Sequence, residues 1–151
     1  MSNVKIVHSN VKQVLDSMSG DRLGRAVMAG GFILETAIKI SMAATSHTGI
    51  QYGTHQASAA GETPAVDTGV YINSIITQLA SSSPTEAIAE VGTNAVQANR
   101  LELGFMETDS LGRKYQQRPR PHFRPAYDNN LQKIEATIRR FAKQQIEGAT
   151  K

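Results

Sequence analysis

"VYINSIITQLASSSPTEAIAEVGT", residues 70–93, decides the fold class. Along 70–80 apolar and polar residues alternate, and β-branched side chains dominate. The same alternation returns at 85–93, and "SSSP" at 81–84 supplies a turn between the two runs. The pattern predicts an antiparallel hairpin. Outward from it, the strongest signals on both sides are helical, which predicts an α+β domain rather than an all-β or all-α one.

Upstream lies "DRLGRAVMAGGFILETAIKISMAATS", residues 21–46. Leu23, Val27, Gly30, Leu34, Ile38 and Met42 form a stripe at helical spacing, widened by Ala26, Ile33 and Ala37. Asp21 is the expected cap. Gly30 and Gly31 each weaken a helix by about 1 kcal/mol relative to Ala. They mark either a close approach by another helix or subunit, or a local bend. Before this helix, "VKIVHSN" reads as an edge strand, followed by a short helix from about Asn10 to Met18.

Downstream, "AVQANRLELG" at 95–104 is helix-like and stops at Gly104. "METDSLGRKYQQRPRP" at 106–121 carries a turn signal and suits a second hairpin. A terminal helix follows, with Tyr127, Leu131, Ile134, Ile138 and Phe141 on one stripe. Pro125 falls in its first turn, where a missing N–H costs nothing. Arg139, Arg140 and Lys143 are expected near its C-terminal end, complementing the dipole. The whole reads as one domain of 151 residues: a small antiparallel β-sheet packed by a long N-terminal helix and a C-terminal amphipathic helix.

Residues 46–69 break every pattern. "HQASAAGETPAVDTG", residues 55–69, has Val66 as its one large apolar residue. Polar connections of such length are uncommon inside compact domains. Deleting 50–62 is expected to remove little core.

Composition narrows the function. There is no Cys, which excludes disulfides, thiolate nucleophiles and cysteine-bound zinc. The net charge of +3 is only mildly basic. No apolar run reads as long enough to span a bilayer, and the first residues lack a secretory h-region. These features give the expectation of a soluble protein made in the cytoplasm.

No catalytic array stands out. His47 and His55 lie eight apart without the carboxylates of a metal site, so solvated loop histidines are expected there. No GxSxG, SxxK or phosphate loop occurs, and Glu86, Glu90, Glu102 and Asp109 show no paired spacing. Neither enzymatic activity nor a cofactor is expected. The most basic stretch is "RKYQQRPRPHFRP", residues 113–125. It reads as a phosphate-contacting surface, an inter-subunit arginine network, or a solvated loop, with Phe123 in the core.

Four pieces stand in order: "YGTHQASAAGETPAVDTGVYINSI", "EVGTNAVQANRLELG", "RPRPHFRPA" and the amphipathic last helix. Together they resemble the head–tail joining, or tail-completion, proteins of long-tailed bacteriophages, including minor tail protein Z-like members. The matching residues are Pro64, Asp67, Thr68, Gly69, Ser74 and Ile75, then Val91, Gly92, Thr93 and Asn94. They continue with Glu102 and Gly104, then Arg120, Pro121, Phe123, Arg124, Pro125 and Ala126. Their order and spacing carry the likeness over nearly the whole chain. Val96, Gln97 and Leu103 depart from it, at positions where aromatics are frequent.

The resemblance implies a structural virion protein without catalysis. It implies a hexameric ring at the phage neck, between the connector or stopper and the tail terminator or tube, with DNA passing through. Residues 46–69 would reach over a neighbouring subunit or ring. The expected contact residues are His55, Pro64, Asp67, Thr68, Gly69, Arg118, Arg120 and Arg124. The alternative is a small basic nucleic-acid-binding protein using Arg118, Arg120 and Arg124.

Overall fold

The computed structural model describes residues 20–44, 46–83 and 85–147. The expected edge strand and short helix near the N-terminus lie outside the described residues. The described chain is α+β, with a long helix near its start, small antiparallel sheets and a long helix at its end. It divides into two compact units.

The described part of the first unit comprises residues 20–36, Ile76–Gly92 and residues 130–147. Helix α1 (Gly20–Ala44) starts there, one residue before the expected cap, so Asp21 falls in its first turn. The predicted hairpin is present as β1 (Ile76–Ser82) and β2 (Ala87–Gly92), paired from Ile76 opposite Gly92 to Ser82 opposite Ala87. The register slips between Leu79 and Ser81, which inserts one extra residue into β1. The last helix, α2, spans Phe123–Glu147.

In this unit Ala26 and Val27 of α1 are buried, as are Ile134 and Ile138 of α2. The glycine pair explains how they meet. A Cβ at Gly30 would lie 2.6 Å from Ile138 and 3.3 Å from Ile134. A Cβ at Gly31 would strike the methyl of Thr77 on β1. The two glycines therefore serve close approach, by a helix on one side and a hairpin on the other. Thr77 is pinned there, since its hydroxyl donates to Glu35 at 2.7 Å.

The second unit comprises Ala37–Ile75 and Thr93–Asn129. Its core gathers Ile38, Met42, Ile75, Ala126 and His122. A miniature hairpin, β3 (Gln51–Tyr52) with β4 (His55–Gln56), sits in the long polar connection. Helix α3 (Val70–Ser74) precedes the large hairpin. Helix α4 (Ala98–Leu103) leads into a third hairpin, β5 (Phe105–Thr108) and β6 (Lys114–Gln117).

Three sequence expectations are corrected. Residues 70–74 are helical rather than the start of a strand. Gly69 turns the chain with φ 79°, and its carbonyl accepts from the Asn73 amide at 3.0 Å. Tertiary contacts of Tyr71 and Ser74 override the β-branched pattern there. Second, α2 runs on to Glu147, so Arg139, Arg140 and Lys143 lie late in the helix, as expected, yet ahead of the last turn in which a cation meets the dipole. Arg139 instead pairs with Glu135 at 3.3 Å, and Arg140 lies over the Phe141 ring. Third, the segment Arg22–Ala44 is long and apolar enough to cross a membrane by length and composition, with mean hydropathy 1.4. A core helix of a soluble protein satisfies the same test.

Replacing Gly31 by Ala sets two effects against each other. Helix propensity favours Ala by about 1 kcal/mol, whereas overpacking a well-filled site costs about 1–3 kcal/mol. Because Thr77 is held by Glu35, the clash wins, and Gly31→Ala is expected to lower Tm. Ile134→Ala is expected to cost about 2–5 kcal/mol. Thermal melting followed by circular dichroism checks both; an unchanged Tm would show that these faces are not packed.

Candidate functional site

The site lies in the second unit, where the pieces of "RPHFRP" meet those of "LELG". An α-helix leaves its first four backbone N–H groups without intrahelical partners. Ser, Thr, Asp or Asn ordinarily precedes a helix to take one. Helix α2 is preceded by Arg120, Pro121 and His122, which serve poorly. Its acceptor comes instead from α4. The Glu102 carboxylate accepts the amides of His122 at 2.9 Å, Phe123 at 3.1 Å and Arg124 at 3.0 Å. Pro125 brings no N–H to satisfy. A negative charge here also suits the positive end of the helix dipole.

The same carboxylate holds the His122 ring, which is fully buried. Nδ1 lies 3.0 Å from Glu102 Oε2 and 3.1 Å from the Arg120 carbonyl. Both are acceptors, so Nδ1 carries the proton and donates. In the neutral ring Nε2 is then an acceptor, and the Tyr71 hydroxyl, 2.6 Å away, donates to it. Burial works to raise the Glu102 pKa. Hydrogen bonds from the His122 ring and from the amides of His122, Arg124 and Phe123 outweigh it and hold the group at about 2. Burial, with the Glu102 charge nearby, pushes the Tyr71 phenol up. A carboxylate, an imidazole and a hydroxyl thus stand in relay order, but the hydroxyl is held protonated. The arrangement orients Tyr71 and does not activate it.

Gly104 completes this corner. Its φ is 72°, and a Cβ there would lie 2.7 Å from the Gln117 carbonyl oxygen and 2.9 Å from Pro119. Glycine is required on both counts. Ser74 donates to the Tyr71 carbonyl at 2.7 Å. With its proton so used, it accepts from Thr93, 2.6 Å away.

The polar connection folds back on its own unit. Arg120 donates through Nε and a terminal nitrogen to the Ser58 carbonyl, at 3.2 and 3.0 Å. The Gly61 amide reaches the Pro119 carbonyl at 2.9 Å. The Glu62 carboxylate accepts the Thr48 hydroxyl at 2.5 Å, the Ala59 amide at 2.8 Å and the Thr48 amide at 3.1 Å. These hydrogen bonds, aided by the nearby His47, lower its pKa to about 2. The His47 side chain is 10 % exposed and 3.6 Å from Glu62, so it is not the solvated loop histidine expected. Since 50–62 contains Ser58, Ala59, Gly61 and Glu62, deleting it would strip these anchors. The segment holds none of the buried apolar residues, so little core would go with it.

Of the eight expected contact residues, His55, Pro64, Arg118 and Arg120 line one open groove of about 760 Å³. Its wall also includes Gln97 and Gln116. Pro64 is buried and Arg120 is turned to Ser58. Asp67 stands 3.8 Å from His55 and is 70 % exposed. Thr68 receives the Val70 amide at 3.4 Å. Arg124 pairs with Asp128 at 2.9 Å. Among the described residues, no group of His, Asp and Glu could hold a metal ion. Val96 and Leu103, which depart from the family pattern, are both exposed.

Comparison with protein-family models, with curated proteins and with solved structures finds no match to this chain.

Two predictions follow from the helix cap and the loop anchor. Glu102→Gln keeps the shape but removes the charge, and is expected to cost about 1.5–3 kcal/mol at pH 7. A folded pKa depressed from 4.5 to about 2 contributes stability that is complete above 4.5 and lost as pH falls towards 2. The gap between wild type and Glu102→Gln should therefore close over that window in denaturant titrations. Arg120→Ala frees the loop from its own unit and should speed limited proteolysis within 50–62. Cleavage at the wild-type rate would mean the Ser58 contact does not hold the loop.

Proposed function

We propose that this chain is a structural virion protein. It forms a ring at the neck of a long-tailed bacteriophage, completes the tail end and joins head to tail, with DNA passing through the ring. The observation that carries this reading is where the residues behind the resemblance are used. Glu102 receives the start of α2 at Phe123 and Arg124. Gly104 lets the chain pass Pro119. Ser74 meets Thr93, Arg120 holds the polar connection, and Gly69 opens α3 at positive φ. The shared pattern is spent on holding the fold of the second unit, which suits a structural component.

The basic nucleic-acid-binding reading loses support from the same geometry. Of its three arginines, Arg120 faces Ser58 and Arg124 faces Asp128. Nearby Arg113 is bound to Asp109 at 2.6 Å. Phosphate-driven affinity grows with each free cation that displaces a counterion, and two of the three arginines are already engaged.

Electron microscopy of particles assembled without this chain tests the reading. Filled heads beside separate, finished tails are expected. Particles joined as usual would overturn it. Binding of the purified chain to DNA, tight at low salt and falling steeply with salt, would favour the alternative.

A further inference from the structure

Most carboxylates on the described surface are matched. Asp109 meets Arg113, Asp128 meets Arg124, Glu135 meets Arg139 and Glu107 meets Arg100. Glu102 and Glu62 are filled by hydrogen bonds, and Glu90 takes the Gln78 amide. Glu86 stands apart from them, and on the groove of the second unit so does Arg118. Among the described residues, the side chains of Glu86 and Arg118 make no hydrogen bond or ion pair, and both residues are exposed.

Their settings differ in a complementary way. Glu86 stands at the turn of the β1–β2 hairpin in the first unit. That turn is held by its own hydrogen bonds. The Ser83 amide donates to the Glu86 carbonyl at 2.7 Å, and the Ser83 hydroxyl receives the Glu86 amide at 3.0 Å. It fixes the backbone of Glu86, so only the side chain is left to be ordered on docking. Arg118 lies on the groove of the second unit. The Gln97 and Gln116 side-chain amides beside it also have no hydrogen bond among the described residues. Amides of this kind suit the peptide groups of a polar turn. Pro64 and Ala65 add small apolar surface.

We propose that the groove receives the β1–β2 turn of a second copy, with Glu86 of one copy on Arg118 of the next. The contact is heterologous, because hairpin and groove are different surfaces. Repetition from copy to copy then gives a closed ring or an open filament. The inference rests on the ring reading above and supplies its subunit contact. An acidic segment of another protein, or DNA phosphate on Arg118, are the competing occupants.

Charge reversal on the full chain tests it. Sedimentation velocity is run on wild type, Glu86→Arg, Arg118→Glu and an equal mixture of the two variants. Both sites are exposed, and circular dichroism confirms that the variants fold. Each variant alone should lose association by at least about tenfold. Mixing them should restore it, because every contact in an alternating assembly again pairs opposite charges, and alternation closes in a ring of six. If both variants assemble like wild type, or if the mixture stays dissociated, the contact is overturned while the ring reading stands. If wild type itself remains a monomer, the ring reading falls and the contact with it. Loss of DNA binding in Arg118→Glu alone, with assembly untouched, would assign the groove to phosphate instead.

Discussion

The second unit depends on one carboxylate. Glu102 accepts three successive backbone amides at the start of α2 and the proton of a fully buried imidazole. Without it, the part-buried amides of His122 and Phe123 would lose their acceptor, which costs about 1–3 kcal/mol for each group left unpaired. The position of α2, the orientation of His122 and through it that of Tyr71 all follow from this group. Its own negative charge is tolerated because hydrogen bonds and the helix dipole act together on it. The first unit rests on a steric condition instead: two adjacent glycines let α1 meet Ile138 on one side and Thr77 on the other.

Much of the frame was legible in the sequence. The stripes of α1 and α2, the main hairpin and the turn at Gly104 are local patterns, and each survives in the structure. The periodicity singled out Ile134 and Ile138, both buried. What stayed hidden was non-local. Glu102 lies twenty residues before His122, so no capping rule that inspects the residues just ahead of a helix would find it. A signal was present all the same: α2 begins after Arg120, Pro121 and His122, none of them a good cap. A helix start without a neighbouring acceptor implies one from elsewhere in the fold.

The polar connection shows the same limit from the other side. Residues 46–69 lack the apolar side chains by which a sequence announces a folded segment. They are nonetheless tied down through Ser58, Gly61 and Glu62, by backbone groups that carry no sequence signature. Helix α3 was misread because five residues of β-branched pattern weigh less than the positive φ of Gly69 and the bonds of Tyr71 and Ser74. Of the expected contact residues, those with structural work in hand, Arg120 and Gly69 among them, are distinguished from those still unspent only once the geometry is known.

The discontinuity of the two units bears on how the chain is made. The first unit draws on residues 20–36, Ile76–Gly92 and residues 130–147, and the second on Ala37–Ile75 and Thr93–Asn129. During synthesis neither can be completed from its leading segment. The cap on α2 needs residues 102 and 122–124 together, and the partners of Gly30 arrive only with residues 134 and 138. Until then α1 presents its apolar face, including Ile38 and Met42, without the core that finally covers it. An emerging chain of this design keeps that apolar surface uncovered until the residues of α2 have been made, because neither unit is complete without them.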